Sequence, residues 1–118
     1  MDRKELQART KNFHVGVIKI FEGFPKNVAG FETAKQVIRS AGSVGANYRA
    51  SARAKSPADF AYKINVVLEE ADESLYWLEV VKDAKLQSGV EVDLLIKEAN
   101  ELTAIFAATD KTNKAKPT

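Results

Sequence analysis

The run Ser56-Pro57-Ala58-Asp59, followed by Phe60, Ile64, Val67, Leu68, Ala71, Leu75 and Leu78, constrains this chain more than any other stretch. Serine accepts a backbone N–H as an N-cap. Proline has no N–H to lose at the first helical position, and an acid three residues after the cap can reach back over the opening turn. The apolar residues then recur at steps of three and four, so they share one helical face over about five turns. A helix with such a stripe must bury it against other elements, and the rest of the chain offers only further helices.

Three other segments carry helical spacing. Phe13, Val17, Ile20, Phe21 and Phe24, flanked by Val15 and Ile18, predict a helix over 5–24, ended by Pro25 because the residue before proline avoids the helical region. Phe31, Ala34, Val37, Ile38, Ala41 and Val44 form the inward stripe predicted for a helix over 29–54. The long helix is expected over 57–87. Leu95, Ala99, Leu102, Ile105 and Phe106 mark a fourth over 91–109, with residues 110–118 read as a fraying basic tail. Short connections between four helices predict one all-α domain, an antiparallel up-down-up-down four-helix bundle over residues 1–118. Tyr62, Val66, Tyr76, Trp77 and Val80 lie off the main stripe of the third helix and predict a second buried face, either in the bundle or in an oligomer. Around Gly42 and Gly45 the second helix is slim. Each glycine costs about 0.8–1 kcal/mol relative to alanine, so another backbone should approach there.

The polar residues are also patterned. Arg39, Ser43 and Asn47 fall at i, i+4 and i+8 on one helical face, and Glu69, Glu70 and Glu73 stand at the matching height of the next helix. With the turn at residue 56, Arg39 should face Glu73, Ser43 Glu69, Asn47 Asn65, and Arg53 Asp59. These pairs predict one interhelical polar network that sets register, since a seam arginine needs a carboxylate partner.

Catalytic chemistry finds little support. There is no cysteine and only one histidine, His14, so thiolate sites and paired-histidine metal motifs are excluded. No Gly-x-x-x-x-Gly-Lys loop or Glu-x-x-His pair occurs, and the carboxylates at 69–73 read as a solvated or salt-bridged face. Neither cofactor nor metal is expected. No apolar run approaches the ~18 residues of a membrane span, and the charged N-terminus is unlike a signal peptide, so a cytoplasmic protein is expected. Net charge is +2, but the first half of the chain carries +7 and the second −5. Either oppositely charged helices pack together, or one surface stays basic and attracts an anionic partner such as RNA or DNA. Lys35, Arg49, Arg53 and Lys55 are the candidate contacts, with Lys4, Arg9, Lys11, Lys19 and Lys26 as further basic groups.

The stretches Gly45-Ala46-Asn47-Tyr48-Arg49, Ala54-Lys55-Ser56-Pro57-Ala58-Asp59-Phe60 and Glu70-Ala71-Asp72-Glu73-Ser74-Leu75-Tyr76-Trp77-Leu78 resemble the four-helix-bundle proteins encoded in intervening sequences of bacterial 23S ribosomal RNA genes. Phe24-Pro25, Glu98-Ala99-Asn100-Glu101-Leu102 and Lys111-Thr112 extend the resemblance to roughly residues 12–114. Where many members carry Ala-Glu-Gly, this chain has Arg49-Ala50-Ser51, so no role of that glutamate carries over. The resemblance implies a ring-shaped homopentamer. Related bundles accompany retroelement reverse transcriptases and contact nucleic acid, which makes nucleic-acid binding the implied role. A scaffold or regulator that docks a protein partner is the alternative.

Overall fold

The structure is a computed structural model that describes residues 1–116. Four helices account for it: α1 Arg3–Ile20, α2 Val28–Ser51, α3 Pro57–Asp83 and α4 Val90–Ala115, with a 3-10 turn at Phe21–Gly23 after α1. No strand occurs among the described residues.

Local chemistry sets the helix boundaries. Asp2, Asn27 and Ser56 cap α1, α2 and α3, each side chain accepting from the backbone N–H three residues on. Asp59 reaches back as expected, although the N–H it accepts from is that of Lys55, at 2.9 Å. The aspartate and asparagine caps open α1 and α2 two residues and one residue before the predicted starts. At the other end of α2, Ala52 N–H bonds back to Arg49 and Ala50 carbonyls, which ends that helix at Ser51 rather than at 54. The long helix stops at Asp83 instead of 87. Lys85 adopts φ +57, Leu86 N–H donates to the Val81 carbonyl and Lys85 N–H to that of Lys82. This is a Schellman closure with lysine in the left-handed position usually held by glycine.

Helix α4 corrects the prediction most. It runs six residues past 109, so the basic tail is helical to Ala115, while Pro117 and Thr118 lie outside the described residues. The reason is Asp110. This residue is buried, accepts from Asn65 Nδ2 of α3 at 3.3 Å and pairs with Lys114 at 2.9 Å, which fastens the last turns of α4 to the first turns of α3.

Side-chain contacts give the directions of the helices. Between α1 and α2, Arg3 bonds Ser51, while Gly45 lies beside Thr10 and Gly42 beside His14. Between α3 and α4, Asn65 meets Asp110 and Lys82 meets Asp93. Ser40 of α2 touches Ser74 of α3, and α1 meets α4 where Arg9 bonds Glu98 and Gly16 lies beside Leu95. Along the α1–α2, α3–α4 and α1–α4 seams residue numbers fall on one helix as they rise on the other, which leaves α2 opposed to α3 as well, so the bundle is antiparallel. Each helix packs against its two neighbours, in a body 49 × 25 × 21 Å.

Phe13, Val17, Val37, Val44, Ile64, Val67, Leu78, Leu102 and Phe106 fill the core. The slim part of α2 lies along α1, but the expected close backbone approach is only partly met: backbone is the neighbour at Gly45, at ordinary contact distance, and a side chain is the neighbour at Gly42. A methyl on Gly45 would sit 3.5 Å from the Thr10 carbonyl oxygen, and one on Gly42 would crowd the His14 ring at 3.0 Å. Phe31 departs from its predicted inward place: it is 58% exposed on the opening turn of α2. The second apolar face of α3 stays outside this single chain, with Tyr62 and Tyr76 exposed and Val66, Trp77 and Val80 half-buried.

Candidate nucleic-acid interface

Antiparallel packing brings the first turn of α1, the last turn of α2, the first turn of α3 and the last turns of α4 to one end of the bundle. Arg3, Lys4, Arg49, Arg53, Lys55, Lys111 and Lys116 collect there, all exposed. None of them forms an ion pair among the described residues. Three of the local acids are engaged elsewhere: Asp2 caps α1, Asp59 pairs with Lys63, and Asp110 pairs with Lys114, while Glu5 stays exposed in the first turn of α1 and leaves the end with a clear excess of positive charge. At the opposite end Lys19, Lys26, Lys35 and Lys82 stand among Glu22, Glu32, Asp83, Glu91 and Asp93, and the charge is mixed.

Of the four predicted contacts, Arg49, Arg53 and Lys55 therefore share a site and Lys35 does not. Fourteen residues of helix separate Lys35 from Arg49, about 21 Å along the axis. Arg9 also leaves the candidate set, because it forms a bidentate pair with Glu98 at 2.6 and 2.7 Å and reaches Glu101 at 3.2 Å. Those carboxylates raise its pKa further above the ordinary arginine value. Arg3 was not singled out as a contact from the sequence, and Lys111 and Lys116 were read as part of a solvated basic tail, since only the topology shows that they join residues 49–55.

Helix electrostatics does not account for the whole cluster. Cations near the C-terminal ends of α2 and α4 suit the negative poles of those helices. Arg3 and Lys4, however, sit at the positive pole of α1, where a cation gains nothing from the macrodipole. Arg3 is held in place by aromatic faces, its guanidinium carbon 5.2 Å from the Tyr48 ring centre and 5.9 Å from that of Phe60, and it donates to Ser51 Oγ at 3.3 Å.

Beside these cations runs an open groove of about 1160 Å³ between the α2–α3 turn and the end of α4. Pro57, Phe60 and Ala61 give it an apolar floor, and Lys55 and Lys116 flank it. Among the described residues no cluster of histidines and carboxylates could hold a metal ion, and no helix is long and apolar enough to cross a membrane.

The predicted polar network is only partly connected. Arg39 pairs with Glu73, as the register implies, and also with Glu70 at 3.3 Å; Trp77 Nε1 donates to Glu73 at 3.2 Å. The other three predicted pairs do not form. Asn47 turns back to the Ser43 carbonyl at 2.8 Å, Asn65 goes to Asp110, and Asp59 takes Lys63 at 2.7 Å in place of Arg53. Glu69 is exposed and makes no hydrogen bond or ion pair among the described residues. Inside the α2–α3 seam the polar contact is Ser40 with Ser74, both fully buried with hydroxyl oxygens 2.9 Å apart. Two small residues on the apolar stripes were not read as a pair because nothing in their spacing marks them as polar partners.

Arg39 is thus no buried seam arginine; its side chain is 47% exposed. Arg39→Ala is expected to change the folding stability of the single bundle by less than about 1 kcal/mol in a urea melt, the usual worth of an exposed ion pair.

Asp59 and Asp110 have pKa values held below the ordinary carboxylate value, Asp59 by the Lys63 ammonium and the Lys55 N–H, Asp110 by the Lys114 ammonium and the Asn65 amide. A carboxyl with a lowered folded pKa contributes stability above its unfolded value and loses it as pH falls through the folded one. Thermal melts should therefore show a loss of stability that sets in below about pH 4 and is shallower in Asp110→Asn.

The sequence pattern of the family described as 23S rRNA-intervening sequence protein matches residues 4–108. Among solved structures, the chain is similar to a protein of unknown function from the S23 ribosomal protein family of Bacteroides thetaiotaomicron VPI-5482. The two are 27% identical, with a TM-score of 0.83 over 94% of this chain and 99% of that one. No curated protein matches.

Proposed function

This chain belongs to the 23S rRNA-intervening sequence protein family, and from that premise we propose that it is a non-enzymatic, cytoplasmic, homo-oligomeric bundle that binds RNA or DNA through sequence-independent phosphate contacts at its basic end. The observation that carries this reading is the convergence of four helix termini on one exposed, unpaired set of cations, with Arg49, Arg53 and Lys55 at its centre. Phosphates repay such a set by releasing condensed counterions, and they do so whatever the base sequence. The two arginines, at i and i+4 around the end of α2, suit bidentate recognition of phosphate oxygens. The family's description as 23S rRNA-intervening sequence protein agrees with a polyanionic ligand.

Homo-oligomerisation is the second part of the proposal, with the pentamer that the family resemblance implies. The stripe Tyr62, Val66, Trp77 and Val80 on α3 supports it, since a lone bundle leaves Tyr62 exposed and the other three only half-covered. The same stripe also favours the alternative, a scaffold that docks a different protein and never touches nucleic acid.

Photo-crosslinking distinguishes the readings. With 4-thiouridine RNA at low salt, crosslinked peptides should map to residues 49–60 and 111–116. Crosslinks confined to the opposite end of the bundle would refute the assigned face. Failure of RNA and DNA to bind at all would leave the scaffold.

A further inference from the structure

The groove at the basic end is suited to a different part of a nucleic acid than the arginines beside it. Resting on the phosphate-binding reading above, we infer that this groove takes an unpaired base, so that the ligand class is single-stranded RNA or DNA in preference to duplex.

The lining supplies the argument. Pro57, Phe60 and Ala61 make most of the floor apolar, whereas a site meant only for phosphates would be polar throughout. Phe60 begins the inward stripe of α3, yet it stays partly exposed while Ile64 and Val67 further along that stripe are buried at 1% and 0% exposure. Phe60 packs against the end of the core and beside the Arg3 guanidinium, and the part of it left exposed gives the groove an aromatic surface. In a duplex the faces of the bases are already stacked, and only phosphates and groove edges are presented. An apolar trough gains nothing from that surface. A single strand offers base faces as well as phosphates, and the two together match a groove with an aromatic floor and lysines on its flanks.

Size and spacing agree. At about 1160 Å³ the groove exceeds the ~300–1,000 Å³ typical of small-molecule pockets, so it fits a segment of chain better than one metabolite. Lys55 on the turn and Lys116 at the end of α4 line it from two elements, so a phosphate next to a seated base has an ammonium group to meet. Asn113, in the groove wall, has a buried amide nitrogen without a hydrogen-bond partner among the described residues. A small rotation of that side chain would present a donor to a base carbonyl or phosphate oxygen, and relieve the cost of the unmet group. Few other polar groups line the floor, which is the arrangement for accepting a base by stacking with little regard to its identity.

The test uses the full chain with a fluorescent single-stranded RNA and the duplex of the same length, titrated at equal low salt. A second single strand carries 2-aminopurine to report base stacking. The single strand should bind tighter than the duplex by on the order of tenfold, the size expected of one stacked base, and 2-aminopurine emission should change on binding. Phe60→Leu, which keeps an apolar floor but removes the ring, should bring the ratio of the two affinities toward one. Ala58→Leu narrows the groove from an exposed position where folding is not at risk, and should do the same. Circular dichroism confirms that each variant is folded. Equal or tighter binding of the duplex by the wild-type protein would overturn this inference and leave phosphate binding intact. Binding of neither ligand would overturn both.

Discussion

Phe106→Ala is expected to lower the melting temperature of the bundle by about 10–20 °C. Phe106 is 1% exposed and among the largest fully buried side chains. Its ring lies 5.3 Å from that of Tyr48, tilted by 56°, so it joins the inner faces of α2 and α4 across the bundle. Truncating a buried phenylalanine typically costs about 3–5 kcal/mol, the lost transfer energy plus the cavity left behind. Against a total stability of about 5–15 kcal/mol this is a large share. Tyr48 would lose its ring partner at the same time, and Arg3 rests on Tyr48, so the damage should spread to the basic end. A calorimetric scan decides it. A shift of only a few degrees would mean that neighbouring side chains collapse into the space, and that the two helices are less tightly joined than the contacts imply.

The second large effect concerns binding. Arg49→Glu combined with Arg53→Glu is expected to weaken RNA and DNA binding by about a hundredfold or more, if each arginine supplies one charge-assisted phosphate contact. Both side chains are exposed and free of ion pairs among the described residues, so their reversal should cost folding no more than their interaction with the α2 pole, about 1–2 kcal/mol in all. The control is Lys35→Glu, the same charge reversal on the same helix about 21 Å away. That variant should bind nearly as well as the parent at physiological salt, where charges beyond about 8 Å are largely screened. If Lys35→Glu hurts binding as much as the arginine pair, net charge and not the basic end is responsible.

The two predictions rest on features of unequal visibility in the sequence. The helices themselves were plain, because Val17, Val37, Val44, Ile64, Leu78 and Phe106 recur at helical spacing and all prove buried. The register of α2 against α3 was plain at one level, where Arg39 meets Glu73, and failed elsewhere because Asn47 and Asp59 found partners within their own helices. Local partners cost less chain entropy than distant ones, and a register rule does not weigh that competition. The end of α4 was hidden for a related reason. Thr109, Asp110 and Asn113 look like a solvated tail, and only the contact of Asp110 with Asn65 shows that this polar face is docked. The stop of α3 was hidden because Lys85 occupies a backbone region where glycine was the expected signal.

For the candidate site, Arg49, Arg53 and Lys55 were legible as a local basic run. Their grouping with Arg3, Lys111 and Lys116 depends on four helix ends meeting, and on α4 being long enough to arrive there. The groove depends on the same two facts. No charge count along the chain would separate the basic end of the bundle from the mixed end.

The central claim, that this end of the bundle binds nucleic acid through phosphates, is tested most directly by the salt dependence of the wild-type affinity. Labelled RNA and duplex DNA would be titrated by fluorescence anisotropy at several salt concentrations between ~50 and ~200 mM. The account predicts submicromolar binding at the lowest salt. It also predicts a linear fall of log affinity with log salt, with a slope near −0.9 for each phosphate neutralised on duplex and near −0.7 on a single strand. No binding at the lowest salt, or an affinity that does not change with salt, would contradict it.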